Sequence, residues 1–209
     1  MNATIRGTSR QYWVALRAML VMTAALGIIY PLVMTGVGQL TMPAQANGSR
    51  ITAAGVNGGA VVGSSLIGQS STTAKGVPLA QWFQSRPSAA NYDANASTGS
   101  NLGPNNPDLL KSINQRKAVI EKLDGVTAAQ IPADAVTASG SGLDPDISPA
   151  YALLQVNAVA AKRGLSESVV KKLVESKIQP RELGYLGEPT VNVLQLNLAL
   201  AQLDPNGNG

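Results

Sequence analysis

"ALRAMLVMTAALGIIYPLVMTGVGQL", Ala15–Leu40, decides the architecture, because it sorts the chain into residues that meet lipid and residues that meet water. From Ala18 to Leu40 there are 23 residues without a charge. At ~1.5 Å per residue they make ~34 Å of helix, slightly more than the ~30 Å hydrocarbon core of a bilayer. A single transmembrane helix over 15–40 is expected. Pro31 removes one backbone hydrogen bond inside it, which membrane helices tolerate where a hydroxyl such as that of Thr35 meets the freed carbonyl. A kink is expected at that point.

A cleaved secretory leader is the competing reading, since Ala44-Gln45-Ala46 has the small-x-small form of a cleavage site. The apolar core of such leaders is only ~7–15 residues long, so the longer run here reads as an uncleaved anchor. Charge sets its direction. Arg6, Arg10 and Arg17 stand before or at the entrance of the run with Tyr12 and Trp13 as interfacial anchors, and the next charge is Arg50. Positive residues stay inside, so residues 1–14 are expected in the cytoplasm and 41–203 outside it, with 204–209 a flexible tail. One face of the span carries Thr23, Gly27, Pro31 and Thr35 at a spacing of four. Such a seam lets a second helix approach closely, although small residues are common in spans for other reasons.

Outside the span roughly 165 residues remain, enough for one domain with a core. From residue 50 onward 13 basic residues face 12 acidic ones, so the formal charge of +4 is mostly the N-terminal arginines. No concentrated basic face points to nucleic acid. The absence of cysteine and histidine excludes disulfides, thiol nucleophiles, Cys/His zinc sites and a Ser-His-Asp triad.

Residues 41–60 read as a linker punctuated by Gly55, Gly58 and Gly59, with short strands at Val61-Val62 and Leu66-Ile67. Trp82–Pro107 is a long irregular stretch whose Trp82, Phe83 and Tyr92 argue for an ordered loop, within which Arg86 and Asp93 are placed to pair. "DLLKSINQRKAVIEKL" after Pro107 is a helix with Leu109, Leu110, Ile113, Val119, Ile120 and Leu123 on one side and Lys111, Arg116, Lys117 and Lys122 on a solvated face. Ala135-Val136-Thr137 suits a short strand. Ser148-Pro149 opens a helix that runs to about Lys162 and ends at Gly164, and Ser166 opens a second with Val169, Val170, Leu173, Val174 and Ile178 as its stripe. A last helix begins at Val191. The fold class is α+β: one N-terminal transmembrane helix, then a mixed domain with a small sheet and several helices.

Ser139, Gly140, Ser141 and Gly142 ahead of a helix start have the look of an anion nest. No Gly-Lys-Ser/Thr is present, Pro145 stands where a dinucleotide fingerprint needs its third glycine, and Asp144 and Asp146 would repel phosphate. A structural turn is the stronger reading, a partner or nucleotide contact the weaker. Where φ is positive, substitution of Gly140 or Gly142 is expected to destabilise the domain. The one Ser/Lys pair of hydrolase spacing, Ser168 and Lys171, lies on ordinary helix surface without an accompanying Lys-Thr-Gly.

Tyr30-Pro31-Leu32, "QANGS" at 45, "VGSSLIGQ" at 62, "SRPSA" at 85, "STGSNLGPNNP" at 97, "TASGSGLDPDISP" at 137 and "LGEPTVNVLQLNLAL" at 186 occur in the order of the KdpC family, which this sequence resembles over nearly its whole length. Gln84 departs from it, standing where the family usually has histidine. The resemblance implies the small, non-catalytic subunit of the bacterial Kdp potassium-transporting P-type ATPase, with no cofactor of its own. Its implied partners are a potassium-channel-like subunit and an ATP-hydrolysing subunit in the plasma membrane. The implied role is a catalytic chaperone that raises the ATP affinity of the ATP-hydrolysing subunit, with ATP contact possible. The alternatives are a membrane-anchored Ser/Lys hydrolase and an anchored ligand-binding module.

Overall fold

The computed structural model describes residues 3–53 and 59–208, which fall into two compact units, one ending at Arg50 and one starting at Ile51. Gly55 and Gly58 lie outside the described residues. In the first unit α1 (Ala3–Ala24) passes into a π-helical stretch, Ala25–Ile29, then α2 (Tyr30–Thr41) and the short α3 (Pro43–Ala46). Thr8–Thr41 is long and apolar enough to cross a bilayer, by length and composition.

The π stretch is the local answer to Pro31. Tyr30 N–H reaches back to the Ala25 carbonyl, one residue further than an α-helix allows, which spreads the proline's disturbance over a whole turn. The Thr35 hydroxyl donates to the carbonyl of Pro31 itself (2.8 Å), not to a carbonyl of the turn before the proline. A π residue turns the chain by only ~80° against ~100° in an α-helix. Four-residue steps that mix π and α residues therefore total close to ~360°, so from Thr23 through Gly27 to Pro31 the drift is less than the ~40° per step of a regular α-helix.

The second unit begins within β1 (Arg50–Thr52), which pairs with β2 (Val61–Ser64). Leu66-Ile67 is a turn, not a strand, because Ser64 accepts both following amides, Leu66 N–H on its hydroxyl (3.1 Å) and Ile67 N–H on its carbonyl (3.3 Å). After the irregular stretch comes α4 (Pro107–Asp124), capped by the Asn106 side chain on the Asp108 amide (2.8 Å). Then follow α5 (Ala133–Val136), β3 (Asp146–Ile147), α6 (Pro149–Leu154), α7 (Val156–Arg163), α8 (Glu167–Ser176), β4 (Ile178–Gln179), β5 (Thr190–Asn192) and α9 (Val193–Leu203). A 3-10 turn, Pro205–Asn208, follows α9.

β3, β5 and β4 form an antiparallel sheet with β5 central, so that Val191 sits opposite both Ile147 and Ile178. Phe83, Ile147, Val159, Val170, Val174, Val191, Leu196 and Leu200 are fully buried around it. The helix expected from Val191 starts two residues later. Thr190 and Val191 are β-branched and find strand partners, and the Asn192 side chain caps the helix by accepting from Gln195 N–H (3.1 Å). Ala135-Val136-Thr137 is mostly helical turn, not strand, since Asp134 anchors the turn by accepting from the Ser148 amide (2.7 Å) and hydroxyl (2.9 Å). The helix expected to run unbroken from Ser148 is interrupted at Gln155, whose side chain turns inward. Its start and its end are where the sequence puts them: Ser148 Oγ accepts from Tyr151 N–H (3.0 Å), and Gly164 closes α7 in the left-handed region.

Candidate functional site

The stretch 65–106 has almost no regular structure, yet Phe83 within it is fully buried. Its extended backbone is paired by side chains where a sheet would use a neighbouring strand. Asn197 on α9 accepts from the Phe83 amide (2.9 Å) and donates to the Phe83 carbonyl (3.0 Å). Gln155 does the same for the next residue, accepting from Gln84 N–H (2.6 Å) and donating to the Gln84 carbonyl (3.3 Å). Arg163 donates from Nε to the Gln81 carbonyl (2.7 Å) and lies 4.3 Å from the centre of the Trp82 ring. A carboxamide carries the same donor and acceptor as a peptide group, so it can complete a ladder one residue at a time. Gln84, buried as well, donates to the carbonyls of Leu79 and Trp82 (both 2.9 Å).

So held, the loop meets the 139–146 turn. Arg86 Nη1 pairs with Asp144 (2.9 Å), not with Asp93, which instead accepts from the Asn95 amide (2.9 Å). Ser88 Oγ donates to the Gly142 carbonyl (2.6 Å), Ser97 Oγ to the Ser141 carbonyl (2.9 Å), and Ser139 N–H to the Pro87 carbonyl (3.0 Å). Gly68 N–H donates to the Leu143 carbonyl (2.8 Å). The Tyr92 hydroxyl donates to the Arg86 carbonyl, and burial pushes its pKa up to about 12. Two glycines make the crossing possible. A Cβ on Gly68 would stand 2.4 Å from the Asp144 carbonyl oxygen, and one on Gly142, whose φ is +68°, 2.5 Å from the Thr98 carbonyl oxygen. Asp146 is held by Asn192 Nδ2 (3.0 Å), and burial pushes its pKa up, an effect that this bond partly offsets.

Ser139, Gly140, Ser141, Gly142 and Asp144 are thus brought together with four segments distant in sequence. Three amides of the turn and the residues after it are engaged by side chains: Gly142 N–H on Ser139 Oγ (3.1 Å), Leu143 N–H on Ser141 Oγ (3.0 Å) and Asp146 N–H on Asp144 Oδ1 (3.2 Å). Gly140 has neither a positive φ nor an atom within 4 Å of a Cβ placed on it, so the expected penalty is confined to Gly142. Ser168 shares its hydroxyl with Ser166 (3.2 Å) and Lys171 faces Glu175 (3.9 Å), all on the exposed side of α8, so the two do not form a nucleophile and base. Thr23, Gly27, Pro31 and Thr35 are exposed on the first unit. Asn197, Gln155 and Arg163, which position the loop, carry no local signal, because each is a single polar residue in a helical run whose partners lie far away in sequence.

The family segments account for most of this node: 62–69, 85–89, 97–107 and 137–149 supply nearly all its partners, and 186–200 supplies Asn192 and Asn197. A family described as "KdpC: K+-transporting ATPase, c chain" matches residues 12–202. A potassium-transporting ATPase KdpC subunit of Kineococcus radiotolerans is 48% identical over 207 residues, covering 98% of this chain and all of the relative. That of Gemmatimonas aurantiaca is 54% identical over 195 residues, covering 90% of this chain and 92% of the relative. That of Streptomyces coelicolor is 44% identical with both chains covered completely. Matched from the membrane-length helix through α9, this chain belongs to the KdpC family of potassium-transporting ATPase subunits.

Proposed function

We propose that this protein is the non-catalytic accessory subunit of a Kdp potassium-uptake complex in the bacterial plasma membrane, assembled with a channel-like subunit and an ATP-hydrolysing subunit. It stabilises that complex and raises the ATP affinity of the hydrolysing subunit. The observation that carries this reading is a family match that includes both the span and the globular unit, with relatives of the same overall length. The N-terminus is cytoplasmic and the globular unit extracytoplasmic, following the arginine bias. A chaperone effect then reaches the nucleotide site through assembly, without contact between this globular unit and ATP.

Co-expression with the two other subunits tests the assembly. A tag on this chain is expected to retain both, and the KM for ATP of the complex is expected to rise when this chain is omitted. Recovery of neither partner would refute the reading. In the same experiment Gly27→Leu adds bulk to the straightened seam, where only Thr23 Cγ2 lies near a new Cβ (3.9 Å), so the chain itself accommodates it. Retention of the partners is expected to drop while the globular unit is unaffected; normal retention would assign that face to lipid.

Direction in the membrane is tested separately. Ser166 is exposed, and Ser166→Cys would be the only thiol in the chain. It is expected to react with an impermeant maleimide in intact spheroplasts. Reaction only after lysis would reverse the topology.

A further inference from the structure

Beside the loop node an open groove of about 860 Å³ runs between the 70–92 loop and α4, with Tyr151 at its floor. That volume is at the upper end of ligand sites. Two guanidinium groups line it and, among the described residues, no carboxylate does. Arg86 is matched by Asp144 through Nη1 and its Nε is buried, which leaves Arg116 as the guanidinium to consider. Arg116, placed by the sequence on a solvated face, instead turns into the groove and donates from Nη1 to the Val136 carbonyl (2.8 Å). No carboxylate of the described residues lies within ion-pair distance of it, and burial lowers its pKa, so among the described residues the Val136 carbonyl answers the guanidinium without a countercharge. A guanidinium in this state has spare donors in a fixed fork, suited to a carboxylate or other oxyanion.

The remaining wall decides the size and kind of occupant. Val119, expected on the buried stripe of α4, is 47% exposed and faces the groove, giving the site an apolar side next to Arg116. A small free anion would use only the charged corner, in a trough open to water where one ion pair contributes little. A segment carried by a protein anchored in the same complex would use the whole length, and tethering reduces the entropy lost when it docks. We propose that this groove receives an extended, carboxylate-bearing segment of a partner subunit, its carboxylate on Arg116, its apolar side chains against Val119. The proposal rests on the assembly reading above and names the contact that assembly makes on the globular unit.

The test uses the full-length chain co-expressed with its partners, with a benzoylphenylalanine crosslinker in place of Gln115, which is exposed on the groove wall. Irradiation is expected to join it to one partner subunit within a segment that contains Asp or Glu. Crosslinks to lipid alone, to a segment without a carboxylate, or to nothing would overturn the proposal. In parallel, Arg116→Glu and Gln115→Glu each place a negative charge where the carboxylate sits, and each is expected to reduce retention of that partner at least about tenfold. Arg116→Glu also breaks the bond to Val136, so Gln115→Glu, which disturbs no bond of the fold, is the deciding variant. Wild-type retention by Gln115→Glu sinks the groove proposal alone, whereas failure of the unsubstituted chain to retain any partner sinks the assembly reading.

Discussion

Gly142→Ala lowers the unfolding free energy of the globular unit by about 2–5 kcal/mol, whereas Gly140→Ala, two residues away, changes it by less than about 0.5 kcal/mol. The contrast follows from geometry. Gly142 has φ +68°, where any side chain is strained by about 1–2 kcal/mol, and the new methyl would lie 2.5 Å from the Thr98 carbonyl oxygen, 2.8 Å from Ala90 Cβ and 3.1 Å from the Ala90 amide nitrogen. Backbone lies on both sides, so no rotamer change relieves the overlap. The loop node must separate, and with it the Ser88 and Ser97 bonds to the turn. Urea unfolding followed by Trp82 fluorescence measures the difference; equal effects at 140 and 142 would mean that the turn is not pressed between the two loops.

The second large effect is a dependence on pH. Asp124 ends α4 with only 7% of its surface exposed, and burial pushes its pKa from 3.8 to about 7. The negative end of the helix acts in the same direction. A carboxyl whose folded pKa exceeds its unfolded one favours folding only while protonated. Stability is therefore fully helped below pH ~4, declines through pH 4–7 by up to about 1.4 kcal/mol per pH unit, and by pH 7 has lost on the order of 3 kcal/mol. Asp124→Asn keeps the shape without the charge. It should flatten that decline and make the protein more stable than the parent at pH 7.5, leaving a shallower slope of the same sign from Asp146, whose pKa burial also raises. Denaturation midpoints of both proteins between pH 4.5 and 8 decide it, and parallel curves would show that Asp124 ionises freely in the fold.

How much of this was legible in the sequence depends on how far each cause lies from its effect. The long apolar helix was legible because the length and composition that a bilayer demands are written in the residues themselves, and Ser148-Pro149 and Gly164 were legible because a cap acts within one turn. The π stretch was not, since Pro31 announces a disturbance but not how the preceding carbonyls absorb it. Val191 and Asn192 read as the start of α9 because "VNVLQLNLALAQL" is mostly apolar and carries no charge, and only the partners Ile147 and Ile178 distinguish strand from helix there. Arg86 was given Asp93, seven residues on, in place of Asp144, which is 58 residues away. The 139–144 turn was recognisable as a turn from its glycines, but the four segments that close on it were not.

The carboxamide ladder on Phe83 and Gln84 also imposes an order in time. Its two halves come from positions 114 and 71 residues later in the chain, so the loop has no partner for these peptide groups while the polypeptide is still being made. Contacts of such sequence separation form late, after the local helices. Residues emerge from the ribosome N-terminus first, and a chain halted anywhere before Asn197 would carry its aromatic segment with Phe83 unlatched. A chain that stops short of α9 thus lacks the side chain that pairs both peptide groups of Phe83, whatever else of the domain it retains.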